Sequence, residues 1–216
     1  MSMKNPKSLI FLTSLCILLP VCAGIALWGR LPDRVPTHFN FQGVADGWSG
    51  KTFAVFGMPL FLLAVHLVCA FAVFHDPKKR NLNRKLVSLT LWICPAVSLF
   101  VAAVTYPNAL GYAIDVNFCA LILTGALFIV VGNYLPKCRQ NYTVGIKLPW
   151  TLADEDNWNR THRLAGPLWV AGGFLMIVSA FTRFAPMWIF IGAVTLAGIV
   201  PVIYSAALYV SKRNPA

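Results

Sequence analysis

Six stretches of the chain are apolar throughout and almost free of charge: residues 8–28, 52–74, 86–107, 116–135, 164–184 and 187–210. Each holds at least 20 residues, the length a helix needs to cross a hydrocarbon core of ~30 Å. The runs are unbroken rather than alternating, so they predict transmembrane helices and not the ~10-residue dyad pattern of barrel strands. A helix also satisfies its own backbone hydrogen bonds in lipid. Pro20, Pro59, Pro95 and Pro201 fall inside these runs and predict kinks or openings, whereas Pro167 stands in the first turn of its run, where a missing N–H costs nothing. The last two spans are separated by little more than Ala185-Pro186, which predicts a tight antiparallel helix pair.

Composition agrees with this pattern. The chain is 58% hydrophobic and 12% charged, against ~45–50% and ~25% for soluble domains. The segments between the spans are too short for a separate soluble catalytic or DNA-binding domain. The net charge of +11 therefore reports topology, and no direct contact with nucleic acid is expected. Fourteen basic residues, in 4–7, 78–85, 137–163 and 212–213, fall on one side of the alternating spans, and only Arg30, Arg34, Lys51 and Arg183 on the other. By the positive-inside rule both termini are cytoplasmic. The first span follows Lys4 and Lys7 as a signal peptide would, but it exceeds the ~7–15-residue signal core, and Val21 is too large for lipoprotein-type cleavage before Cys22, so it is read as an uncleaved helix. Five cysteines lie inside spans and Cys138 lies on the cytoplasmic side, with no CxxC pair, so neither a disulfide framework nor a zinc site is expected.

Two connections are long enough to hold a site. The outer one, 29–51, contains LPDRVPTHFNFQGVADGWSGK. Gln42-Gly43 and Asp46-Gly47 read as turns, and strict alternation would put His38, Asn40 and Gln42 on one face and Phe39 and Phe41 on the other. The candidate recognition residues of this small ordered cap are His38, Asn40, Gly43, Asp46 and Lys51. Hydrogen bonding within the turns accounts for these residue types, and so does a contact surface for a ligand or toxin. His38 and Asp46 alone do not complete a metal shell.

The inner connection, 136–163, is polar in a different way. Residues 132–166 read GNYLPKCRQNYTVGIKLPWTLADEDNWNRTHRLAG. Thr151 reads as a helix cap, with Asp154, Glu155 and Asp156 near the positive helix end, and Trp158 and His162 one turn apart on one face. The pattern predicts a short amphipathic helix in the interface that bends into the membrane near Gly166-Pro167. A capped, solvated helix start explains the cluster, as does a docking surface for a cytoplasmic partner. No HExxH, GxSxG, P-loop or facing carboxylate pair occurs, so no catalytic residue, metal or cofactor is assigned and the chain is not read as an enzyme. His66, the one histidine inside a span, lacks an ionisable partner there and is expected as a neutral side chain bonded to a backbone carbonyl rather than a proton relay. Ala193 and Ala197 offer a small-residue packing face, a weak pointer to oligomer contacts.

At these two loops the sequence resembles the SdpI-type bacterial immunity membrane-protein family. The outer loop is similar to the small N-terminal module found there, in the order Pro-x-His-x-Asn, Gly, Asp-Gly, Lys. The inner loop is similar to the family signature at Gly132, Asn133, Asn141, Gly145, Ile146, Pro149, Trp150, Thr151, Leu152, Trp158, His162, Arg163 and Gly166. Lys147 stands where an arginine is common, which keeps the charge but loses the planar fork. The resemblance implies an all-α protein of the bacterial cytoplasmic membrane with six transmembrane helices. It divides the chain into an N-terminal module, 1–75, and a core, 76–216. It implies protection against a secreted, membrane-active peptide toxin and, for some members, capture of a cytoplasmic transcriptional repressor. Partner-binding candidates in the signature loop are Asn133, Asn141, Gly145, Pro149, Trp150, Thr151, Trp158, His162 and Arg163. A small exporter of peptide or lipid is the alternative, because prolines within spans also suit broken-helix substrate sites.

Overall fold

The computed structural model describes residues 6–213, which leaves Lys4 outside it. Its elements are α1 (Pro6–Ala26), β1 (Arg34–Phe39), β2 (Ala45–Gly50), a π-helical turn (Phe53–Gly57), α2 (Met58–Phe74), α3 (Arg84–Ala109), α4 (Val116–Tyr134), α5 (Pro149–Ala153), α6 (Glu155–Thr182) and α7 (Pro186–Arg213). All except α5 and the hairpin belong to six helices long and apolar enough to cross a membrane. Their outward faces carry large apolar side chains, among them Phe174, Leu175, Val178 and Phe181 on α6 and Leu196, Ile199 and Ile203 on α7. Such continuous apolar exposure is untenable in water and natural in lipid. The chain is a multi-pass membrane protein.

Two compact units interleave along the chain: one holds residues up to 72 together with 87–119, the other 73–86 together with 120 onwards. In the first, Leu31, Val55 and Tyr106 form a buried cluster. A Cβ on Gly24 would lie 2.6 Å from Val55 Cγ1, so only glycine lets α1 approach the π-helical turn this closely. Helix α1 runs through Pro20 without interruption. Beside it, Ser98 Oγ donates to Ile17 O (2.8 Å) and Tyr106 Oη to Pro20 O (3.0 Å), two side chains of α3 supporting carbonyls next to the proline. Pro95 and Pro201 likewise lie within continuous helices rather than at breaks.

His66 bonds the backbone of Ile10 on α1, as expected. Its Nε2 lies 3.0 Å from Thr13 Oγ1. That hydroxyl donates its single proton toward Leu9 O and Ile10 O (2.8 and 3.0 Å), so it accepts from His66, and the ring is the Nε2–H tautomer.

In the second unit, α4 and α6 run antiparallel with glycine facing glycine at two levels. A Cβ on Gly173 would meet Gly125 O at 2.5 Å, and one on Gly166 would meet Gly132 O at 2.9 Å. The pairs are seven residues, or two turns, apart on both helices. Phe128 stacks on Trp169 in the same seam, with ring centroids 4.5 Å apart. Trp169 Nε1 reaches across to donate to Ala197 O (3.0 Å), and a Cβ on Gly172 would lie 3.1 Å from that of Ala193. Ala193 and Ala197 are buried. Their small-residue face thus packs within the chain against α6 and is not free for a second copy.

Two further expectations change. The polar stretch after Asp154 and the apolar fifth span form a single helix, α6, that passes through Pro167. Pro167 is therefore well inside the helix rather than in its first turn. The connection to α7 comprises residues 183–185, with Arg183 and Ala185 at φ of 56° and 44°. Arg183 N–H donates to Ser179 O, and Ser179 Oγ to Phe184 O. Since an L side chain is strained in the left-handed region, Ala185→Gly is expected to stabilise the protein by about 0.5–1 kcal/mol, read as a raised midpoint in detergent thermal unfolding.

Candidate functional site

The inner loop has little regular structure, and side chains take the place of a ladder. After a single 3-10 turn at Leu135–Lys137, Asn141 organises the chain around itself. Its Oδ1 accepts from the N–H groups of Thr143 (2.9 Å) and Val144 (2.7 Å). Its Nδ2 donates to the carbonyls of Arg139 (2.8 Å) and Val144 (2.9 Å), with Cys138 Sγ 3.3 Å away. Every polar valence of the amide is used, as its complete burial demands. Gly145 then takes φ of +123°, which brings the chain back over the ring pair of α6.

That pair is Trp158 and His162, one turn apart and stacked with centroids 4.1 Å apart. Trp158 Nε1 donates to Cys138 O (2.7 Å). His162 Nδ1 lies 2.7 Å from Trp158 O, to which it must donate, so Nε2 is unprotonated and accepts from Ile146 N–H (2.9 Å). A proton on Nε2 would set two N–H donors face to face. With both nitrogens committed to backbone, His162 is a clamp on the loop and has no lone pair left for proton transfer. Thr151 Oγ1 closes the same segment, accepting from Leu148 N–H and lying 2.9 Å from Ile146 O. Thr151 is therefore not the cap of the long helix. Asp154 is: its carboxylate accepts from the N–H groups of Asp156 (2.9 Å) and Asn157 (3.3 Å). Both residues suit a cap, and the choice falls to Asp154 because α5 ends after a single turn.

Beneath this layer, Trp150 Nε1 donates to Ser205 Oγ (3.0 Å) and Asn157 Nδ2 to Ser205 O (2.9 Å), joining the loop to α7. Lys212 reaches Asp154 (2.7 Å) and Asp156 (2.9 Å). The Lys212 ammonium holds the Asp154 carboxyl below its ordinary range, so this clasp is intact at neutral pH.

Asp76 was not legible from the residues around it. It is buried at the end of α2, where its carboxylate accepts from Lys78 N–H (2.7 Å), Tyr142 N–H (2.9 Å) and Thr143 Oγ1 (2.6 Å). Gln140, also buried, bonds Lys78 Nζ through Oε1 and donates through Nε2 to Thr151 O (2.8 Å) and Leu152 O (3.0 Å). The only cue was an acid next to a basic run, and its partners Tyr142 and Thr143 lie more than sixty residues away. Burial pushes the Cys138 thiol up to about 11. Alkylation of Cys138 by iodoacetamide at pH 8 is therefore expected to be at least ~100-fold slower in the folded protein than in the SDS-unfolded chain, measured by mass spectrometry.

Of the nine inner candidates, Asn141, Gly145, Thr151, Trp158 and His162 come together in this buried assembly, and Trp150 joins it half-buried. Asn133, Pro149 and Arg163 stay exposed, Pro149 at the first turn of α5. The surface laid over the scaffold is cationic and aromatic: Arg139, Lys147 and Arg163 are exposed, and Tyr142 is exposed with Lys78 5.5 Å from its ring centre. Among the described residues, no three His, Cys, Asp or Glu side chains gather as metal ligands.

The outer candidates sit on a β-hairpin. Alternation breaks at His38, where the register shifts on both sides, and residues 40–44 are the turn. Asn40 and Gln42 thus belong to the turn rather than to a polar strand face. Asn40 Oδ1 accepts from the N–H groups of Gln42 and Val44 (3.0 Å each), and Gly43 takes φ of +78°. Asp46-Gly47, expected as a turn, lies inside β2. His38 Nδ1 meets Asp46 Oδ1 at 2.5 Å across the strands. Lys51 Nζ donates to Trp28 O (3.2 Å) and Leu31 O (2.9 Å) and pairs with Asp33 (3.5 Å), tying the two ends of the loop. Asn117 Nδ2 donates to Phe41 O (2.7 Å) and holds the tip.

Sequence comparison places these two regions in known families. Residues 137–205 match the SdpI/YfhL protein family, and residues 15–63 match a domain of unknown function, DUF1648. The chain is similar to "Immunity protein SdpI" of Bacillus subtilis (strain 168), with 26% identity over 208 residues that cover 94% of both chains. No solved structure matches. The inner match takes in Asn141, Trp158, His162 and Ser205, and the outer match takes in the hairpin with parts of α1 and α2. This chain is a multi-pass protein of the bacterial cell membrane whose residues 137–205 are similar to the SdpI/YfhL protein family and whose residues 15–63 are similar to DUF1648.

Proposed function

We propose that this protein is an immunity protein that protects its cell against a secreted, membrane-active peptide toxin, and that its inner loop docks a cytoplasmic transcriptional repressor. The observation that carries the reading is the similarity to an immunity protein along 94% of both chains. In this reading residues 1–75 serve recognition on the outer side and residues 76–216 present the inner platform. The division of labour on the inner side follows from burial. Asn141, Gly145, Thr151, Trp158 and His162 give the loop its shape, while Arg139, Tyr142, Lys147 and Arg163 face the partner. A rigid loop with exposed Arg and Tyr has the composition of protein-binding surfaces, because both residues bring contact area and directed donors.

Toxin-sensitive cells expressing the chain are challenged with secreted peptides encoded near its own gene. Wild type is expected to raise survival. The Tyr142→Ala, Arg163→Ala double variant is expected to reach wild-type abundance and protection but to lose repressor from the membrane fraction. Absence of protection by well-expressed wild type overturns the immunity reading in favour of export. Unchanged repressor retention in the double variant overturns the docking assignment.

A further inference from the structure

The outer hairpin has two faces, and only one of them is consumed by internal bonds. The register pairs Pro36 with Trp48 and Phe39 with Ala45, and cross-strand partners share a face. Arg34, two residues before Pro36, is on that face too. With Pro32 and the α3 end at Asn108 and Ala109, these side chains enclose an open cleft of about 280 Å³. Its apolar lining is Pro36, Phe39 and Trp48, the last 51% exposed. Its charge is a single cation. Arg34 is exposed and has no carboxylate partner among the described residues, whereas Lys51 on the same loop is paired with Asp33 and His38 with Asp46. No acidic side chain lines the cleft.

We propose that this cleft is a binding site for a peptide carboxylate flanked by an apolar side chain, with Arg34 receiving the carboxylate and Phe39 and Trp48 the apolar group. This deepens the immunity reading and rests on it for the peptide's origin. Three features favour a peptide. The cleft is open and stands at the lower edge of the ~300–1,000 Å³ of pockets that enclose a whole small molecule, so it suits one or two side chains of something longer. The planar guanidinium fork matches a carboxylate in two parallel hydrogen bonds, and an aromatic wall beside it lowers the local dielectric. The hairpin is held at both ends and at its tip, by Lys51 and by Asn117, so little ordering is left for the moment of binding.

The test uses the full chain in nanodiscs of zwitterionic lipid. The probe is a fluorescein-labelled peptide of alternating Leu and Phe ending in Asp with a free carboxylate, compared with its amidated Asn counterpart. The acidic peptide is expected to bind about tenfold or more tightly than the neutral one. Arg34→Gln is expected to erase that preference, Arg34→Lys to keep part of it, and Trp48→Ala to weaken both peptides alike, each variant retaining wild-type thermal stability. Equal binding of the two peptides, or a preference that survives Arg34→Gln, overturns the proposal. So does loss of the preference on adding phosphatidylglycerol to the nanodisc, which would assign Arg34 to a lipid phosphate. Arg34-dependent binding without protection of cells leaves the cleft standing and removes the immunity reading. Protection that fails only in Arg34→Gln joins the two.

Discussion

Gly145→Ala is expected to unseat the inner platform while leaving the membrane helices in place. An alanine at φ of +123° is strained by itself, at about 1–3 kcal/mol. Its Cβ would also lie 2.6 Å from His162 Nε2 and 2.9 Å from two atoms of the Trp158 ring. The ring pair cannot retreat, because Trp158 is fully buried and bonded to Cys138 O. Relief therefore comes from the loop, which gives up the bond from Ile146 N–H to His162. With overpacking of about 1–3 kcal/mol added, the total is about 2–6 kcal/mol. Trypsin cleavage at Arg139 and Lys147 is the readout, expected to be about 30-fold or more faster than in wild type where local opening limits it. Gly29→Ala, where a Cβ meets nothing within 4 Å, is the control. Wild-type protease resistance in Gly145→Ala would show that the turn is not under this constraint.

Leucine at Gly166 or Gly173 is expected to leave no folded protein. The added Cβ alone would sit 2.5 Å from Pro136 Cγ in one case and 2.5 Å from Gly125 O in the other. The second obstacle is backbone, which yields only if α4 and α6 part along the whole seam. That separation also strips Trp169 from Phe128 and from Ala197 O, so the cost exceeds ~5 kcal/mol, comparable with the entire stability of many domains. Gly192→Leu and Gly198→Leu, facing open space on α7, are expected to behave as wild type. Size-exclusion chromatography and circular dichroism in mild detergent separate the two classes. A monodisperse Gly173→Leu protein would mean that the helices are not in backbone contact there.

The parts of the fold legible in the sequence are those set locally. The spans were legible because each needs only its own twenty or so apolar residues. The Trp158–His162 stack was legible because a spacing of four places both rings on one face of any helix. The outer turn was half legible. Gly43 announced it, but the strand pattern ran on too far, because Asn40 looks the same whether it decorates a strand or folds its amide into a turn. Nothing local announced Asp76. Its role exists only once Tyr142 and Thr143 are brought to it, and charge adjacent to a basic run reads as solvated until that happens. The same holds for Ser205, an unremarkable hydroxyl within an apolar helix that supports both Trp150 and Asn157. It also explains why the signature residues first suggested a contact surface: persistent polar types in a loop mark a site, and burial alone reveals whether they touch a partner or hold the loop that does.

The bonds from Trp150 and Asn157 to Ser205 span 55 and 48 residues, and this sets an order of events during biosynthesis. At ribosomal rates of ~5–20 residues per second, the inner loop waits about 3–11 s after emerging before Ser205 exists. Until α7 has been made and inserted, the loop has Asn141 and His162 to shape it but no floor. A nascent chain stalled within α7 would present five inserted spans and an unfinished cytoplasmic surface. The surface built on this loop is thus complete only after the final helix has been threaded into the bilayer.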